Sequence, residues 1–134
     1  MSLLSSSMAI SASGLHAERF RMDVIAHNLA NSSTTRTEDG LPFRRRIVRF
    51  AEVMDENLRG VHVDRVEEDP SEGPRVFDPG APGADADGMV EGANVNPVME
   101  MVDLLSATRA YEANITAFNA AKGMMLNALT IGAS

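Results

Sequence analysis

The chain has 134 residues and no cysteine, which limits it to one modest domain without disulfides, thiolate zinc or a Cys nucleophile. Its net charge of -7 and pI of about 4.8 fit nucleic acid poorly, since phosphate contacts supply most of that affinity. Aromatic residues are only 4%, Trp is absent and Met numbers nine, so Met and Ala must fill whatever core forms.

The opening stretch MSLLSSSMAISASGLHAERF lacks the positive n-region and continuous apolar core of a secretory signal. No run of about 18 apolar residues occurs, so no membrane span is expected. Composition divides the chain into residues 1–35, 36–93 and 94–134, and most of the Pro, Gly and charge falls in the middle part.

The first part carries a heptad. Met1, Met8, Leu15, Met22 and Leu29 recur every seven residues, with Leu4, Ser11, Glu18 and Ile25 offset by three. Ala12 and Ala26 add small residues beside that seam. This spacing predicts a helix of about 27 residues, roughly 40 Å long. Asn28 and Asn31, followed by SSTT, mark its end, because Asn tolerates the left-handed conformation that stops helices.

The middle reads as loops with short strands over 43–50 (FRRRIVRF), 61–66 (VHVDRV) and 74–78 (PRVFD). Val61 and Val63 share one face of the second. Residues 78–88, DPGAPGADADG, are turn chemistry throughout.

The last part opens with Asn96 as N-cap and Pro97 at the first helical position. Leu104, Tyr111, Phe118 and Met125 then recur every seven residues. Ala107, Ala121 and Ala128 follow three places behind, with Asn114 interrupting them. Large residues alternating with Ala allow a second helix to come close. Gly14 and Gly123 each cost on the order of 1 kcal/mol within a helix, so both helices depend on packing. The expected fold is mainly α: two long terminal helices in an antiparallel coiled-coil-like pair, with a small irregular and β middle.

Chemistry is sparse. Asp85, Asp87 and Gly88 hint at a calcium loop, but Gly83 and Asn94 stand where further acids would be needed, so a turn is the better reading. His16 and His27 lie about 16 Å apart along a helix, too far to share a metal. His62 has no ligand companion near it, and Ser5, Ser6 and Ser7 have no placed base. Glu67, Glu68, Asp69 and Glu72 read as a solvated charge run. Arg44, Arg45, Arg46 and Arg49 form a basic cluster, expected to make salt bridges between subunits opposite that acidic run. No catalytic residue, metal ligand, cofactor, nucleic acid or small-molecule substrate is expected. From the residues alone the chain is a coiled-coil-like assembly module. A self-contained adaptor forming a closed dimer and, more remotely, a small metal-dependent enzyme using His and Asp remain open.

Two stretches go further. They are residues 13–46, with S-G-L-x-A at Ser13, Gly14, Leu15 and Ala17, N-L-A-N at Asn28, Leu29, Ala30 and Asn31, and T-x-D-G at Thr37–Gly40, and residues 85–132, with R-A-Y-x-A-N at Arg109, Ala110, Tyr111, Ala113 and Asn114. Together they resemble the bacterial flagellar basal-body rod proteins, most closely the short proximal rod type. Met89 stands where the family often has an aromatic residue, and Ala93 where it often has Pro. The resemblance implies a structural subunit that polymerises helically and transmits torque from motor to hook. It implies partners among copies of itself, other rod proteins, the inner-membrane ring and rod-adaptor proteins, and the flagellar type III export apparatus. It also implies a periplasmic rod in the basal body, reached without a cleaved signal peptide. Met8, Leu15, Met22, Ile25, Leu29, Leu104, Tyr111, Phe118 and Met125 are the expected assembly interface.

Overall fold

The computed structural model describes residues 3–53, 55 and 59–133; Met1 of the first heptad lies outside them. The element order is α1 (Leu3–Ala30), β1 (Arg46–Glu52), β2 (Val61–Glu68), β3 (Arg75–Phe77), β4 (Met89–Glu91) and α2 (Pro97–Gly132). At 1.5 Å per residue α1 is roughly 42 Å long and α2 roughly 54 Å. The helices pack against each other and run antiparallel. Asn28 near the end of α1 meets Glu100 near the start of α2, and Gly14 meets Asn114. The expected architecture of two long helices with a small β middle is the one observed.

The start of α2 follows from its sequence. Asn96 Oδ1 accepts hydrogen bonds from the Val98 and Met99 amides at 3.1 and 3.4 Å, satisfying donors that the first turn leaves unpaired. The end of α1 differs from expectation. No non-glycine residue among those described has a positive φ, so Asn31 is not left-handed. Instead its side-chain amide donates to the His27 carbonyl at 2.9 Å, and its backbone N–H points at both His27 and Asn28 carbonyls. Those bonds consume the last carbonyls locally and end the helix.

β1 and β2 form an antiparallel hairpin in which Val48 faces Val66 and Arg46 faces Glu68. The register shifts between Arg49 and Phe50, a bulge that leaves Asp64 as the extra residue on β2. β3 and β4 form a second, three-residue pair with Val76 opposite Val90. The first strand begins at Arg46 rather than at Phe43, because Phe43 turns inward to pack with Ala93 and Val95 in a small buried cluster. β4 was not expected: three residues in G-M-V-E-G carry no periodicity to read.

Candidate assembly site

The hairpin is fixed to α1 at two points. At one end the Asn28 amide imitates a neighbouring strand: Oδ1 accepts from the Arg46 N–H at 3.0 Å and Nδ2 donates to the Arg46 carbonyl at 2.9 Å. At the other end Ser13 Oγ accepts from the Val61 N–H at 3.1 Å while donating to the Ile10 carbonyl at 2.7 Å. Fifteen residues of helix span roughly 22 Å, and the six steps of β1 span roughly 20 Å, so the strand lies alongside the helix with both ends held.

A polar junction sits where α1 ends, β1 begins and α2 begins. Asn28 and Glu100 are both only 1% exposed. Asn28 Nδ2 also reaches Glu100 Oε2 at 3.3 Å, and Glu100 Oε1 accepts from Arg45 Nε. Arg45 spreads its guanidinium further to Asp103 at 3.1 Å. Its backbone N–H donates to Asn94 Oδ1, and the Asn94 amide donates on to the Asp69 and Ser71 carbonyls. Burial works against the Arg45 charge, but the Glu100 hydrogen bond and then the charges of Glu100, Asp103 and Asp69 outweigh it, raising its pKa above the usual value. Among the described residues, every buried polar side-chain atom has a partner. A buried charge persists only when satisfied in this way.

Away from the junction the helix contact is built from small residues. Ala17, Ala107 and Ala121 are buried, and Gly14 has no room for a side chain. A Cβ there would stand 2.8 Å from the Asn114 amide nitrogen and oxygen. The expected interface residues flank this line. Met8, Leu15, Met22 and Leu29 on α1 are half-buried, as are Leu104, Tyr111, Phe118 and Met125 on α2; Ile25 is fully buried. Of the motif residues, Gly14 and Asn28 are buried, Ser13, Asn31, Ala110 and Asn114 are half-buried, and Ala30, Arg109 and Ala113 are exposed.

Apolar surface is left uncovered at both ends of α2. Val98, Met101, Val102 and Leu105 form a stripe at helical spacing, with Val98 71% exposed. The contacts Gly14–Asn114 and Asn28–Glu100 put Leu3 level with Met125, so α2 runs on past the first described residue of α1. There Leu126, Leu129 and Ile131 are 55%, 65% and 76% exposed, and Ala128 is exposed with them.

The remaining candidates resolve locally. Asp85 Oδ1 accepts from the Asp87 and Met89 amides at 2.9 Å each, and Gly88 takes φ 76°, so DADG is a turn. Among the described residues no group of three or more His, Asp or Glu could hold a metal. His16 and His62 are exposed, and His27 meets the Phe43 ring edge-on at 5.6 Å. The arginine cluster departs from expectation. Arg44 pairs with Glu91, Arg45 with Glu100 and Asp103, and Arg49 with Glu67, all within the chain. Arg49 stands directly opposite Arg65, and Glu67 bridges the two like charges. Hydrogen bonds from Arg65 and then Arg49 hold the Glu67 carboxyl below the usual range.

Sequence reasoning missed the junction. Its available signal was Glu100, a charge on the heptad line that continues through Ala107, Asn114 and Ala121.

Comparison with known proteins bears on what this surface assembles with. Residues 8–36 match the family described as flagella basal body rod protein, and residues 86–131 match the flagellar basal body rod FlgEFG protein C-terminal family. The flagellar basal-body rod protein FlgC of Bacillus subtilis is 44% identical, over 94% of this chain and 96% of the relative. Those of Borreliella burgdorferi and Salmonella typhimurium are each 42% identical, over 96% and 92% of this chain and 97% and 93% of the relatives. No helix of the described residues is long and apolar enough to cross a membrane. The chain belongs to the FlgC family of flagellar basal-body rod proteins.

Proposed function

We propose that the chain is a structural subunit of the bacterial flagellar basal-body rod, of the proximal type. It polymerises with copies of itself and with other rod proteins through contacts that do not close, which generates a helical shaft. The shaft transmits torque from motor to hook. The observation that carries this reading is family membership spanning both terminal helices and nearly the whole chain. The uncovered apolar ends of α2 support it, since contiguous apolar surface of this kind marks a protein contact.

Met8, Leu15, Met22, Leu29, Leu104, Tyr111, Phe118 and Met125 serve as helix seams within and between subunits. Their half-burial in a single chain leaves each with area for a neighbour. Ile25 belongs to the seam within the subunit. At the base of the rod the partners are the inner-membrane ring and rod-adaptor proteins. The subunit reaches the periplasm through the flagellar type III export apparatus without a cleaved signal peptide. The part it plays is mechanical, with no cofactor, nucleic acid or small-molecule substrate. The closed adaptor dimer gains no support from the relatives, which are named as rod proteins.

The test is complementation of a motile strain lacking its proximal rod protein. The unaltered chain restores rods and swimming, while Leu104→Glu with Phe118→Glu abolishes both at unchanged expression. Full motility with both charges in place contradicts the seam assignment.

A further inference from the structure

We propose that Asn28–Glu100 and Gly14–Asn114 form a two-point key that selects the register in which the terminal helices pair within one chain. Apart from the ties made through the β1–β2 hairpin, the connection between the helices does not set it. The 66 residues from Asn31 to Asn96 separate α1 from α2, whereas a tight loop of a few residues would impose one alignment.

The apolar seam cannot set it either. Ala107, Ala121 and Ala128 lie on one seven-residue line interrupted by Asn114, and Met8, Leu15, Met22 and Leu29 recur every seven residues. A heptad repeat of similar residues looks alike to a partner displaced by one heptad. Displace α2 by seven residues toward its N-terminus, and Asn28 faces Ala107, Gly14 faces Ala121 and Ser7 faces Ala128. The small residues still fit.

The two keyed contacts do not, one being a hydrogen bond and the other a steric fit. Fourteen residues, two heptads, separate Gly14 from Asn28 on α1, and the same fourteen separate Glu100 from Asn114 on α2. Both pairs are satisfied in one register alone. In the displaced register Glu100 passes the end of α1 and loses Asn28. Asn114 keeps its bond to the Ala110 carbonyl of its own helix, but it loses the notch that Gly14 leaves for it and meets Arg21. Leaving buried donors and acceptors unmade is the costly side of a hydrogen bond, so polar groups discriminate where alanines cannot. A single buried Asn fixes coiled-coil register for the same reason.

The purpose of such a key rests on the assembly reading: a polymer crowds many identical helices together, and each α1 must find its own α2. The register itself does not rest on that reading, so purified chain tests it without a rod. The chain has no native cysteine, which makes disulfide trapping clean. Ser7→Cys with Ala121→Cys reports the observed register, and Ser7→Cys with Ala128→Cys reports the displaced one. With the key intact, oxidation of dilute protein gives the intramolecular 7–121 bond, and the 7–128 bond forms at under about a tenth of that yield. Adding Glu100→Leu and Asn114→Ala brings the two yields within about twofold, while Glu100→Gln keeps the preference. If the double variant loses its helices by circular dichroism, Asn114→Ala alone takes the test, with a several-fold rise in the 7–128 bond expected. An unchanged ratio overturns the proposal. So does the absence of both bonds, or a 7–121 bond formed between chains, with the key intact.

Discussion

The two ends of the helix pair are built on opposite principles. At the end where α1 stops and α2 starts, Asn28, Arg45, Asn94, Glu100 and Asp103 interlock, and Phe43, Ala93 and Val95 close over a small cluster. Among the described residues there, every buried polar side-chain atom finds a partner inside the chain. At the far end, Leu126, Leu129 and Ile131 project on a helix that has outrun its companion. The last charged residue of α2 is Lys122, so nothing polar beyond Asn127 and Thr130 relieves that surface. One end has its polar groups satisfied within the subunit, with the apolar stripe of Val98, Met101, Val102 and Leu105 left on its outer side, and the other, among the described residues, has no such polar junction and is covered only against neighbours. A subunit that must join a polymer in one way gains from both: a fixed base that orients it and an unfinished tip that has reason to bind.

The largest effect comes from breaking the completed end. Glu100→Ala removes the buried carboxylate that Arg45 Nε and the Asn28 amide share, leaving Arg45 only Asp103 and Asn28 only Arg46, and opens a cavity. Arg45 is 27% exposed and regains some water, so the expected loss is about 3 kcal/mol, the lower end for a severed buried pair, measured by urea unfolding. Next is Gly14→Leu, which drives a branched side chain into Asn114 and pushes the helices apart. Overpacking of this kind costs about 2 kcal/mol, read from the same unfolding curves. Leu129→Asp at the unfinished tip should shift unfolding of the isolated chain by less than about 0.5 kcal/mol, since the side chain touches little there, yet prevent rod incorporation. A stability loss as large as that of Glu100→Ala would erase the distinction between the ends.

The smallest effect is acid sensitivity. Hydrogen bonds from the Ser71 hydroxyl and backbone hold Asp69 below its ordinary value, and those from Arg65 and Arg49 do the same for Glu67. A carboxylate depressed in the folded state stabilises fully above its unfolded pKa and loses that contribution as pH falls through the folded one. Stability should therefore be flat near neutrality and decline only below the ordinary carboxylate range. Asp69→Asn should flatten that decline slightly, because these groups lie at the surface.

The helices were legible because their signals are local. Asn96 and Pro97 announce the start of α2, and the seven-residue recurrence of Leu104, Tyr111 and Phe118 gives a half-buried line that flanks its buried one. The arginines were misread because sequence shows a cluster of charge and not what the fold sets beside each member; Glu91 and Glu100 lie far along the chain from Arg44 and Arg45. Asn28 was read as a helix stop, which fits its place near the end of α1. Its paired hydrogen bonds to Arg46, 18 residues on, and its contact with Glu100, 72 residues on, lie beyond the reach of any local pattern. The small strands β3 and β4 exist through pairing with each other and carry little signal of their own.

Residue-resolved hydrogen exchange on the purified, unassembled chain tests the contrast between the ends most directly. Amides in Ile25–Ala30 and Met101–Leu105 should exchange at least about a hundredfold more slowly than those in Leu126–Ile131, since the polar junction holds the former and the side chains of Leu126, Leu129 and Ile131 are mostly exposed. Equal protection along α2, or slower exchange at its tip, would show that the far end is finished without neighbours and contradict the division proposed between the two ends.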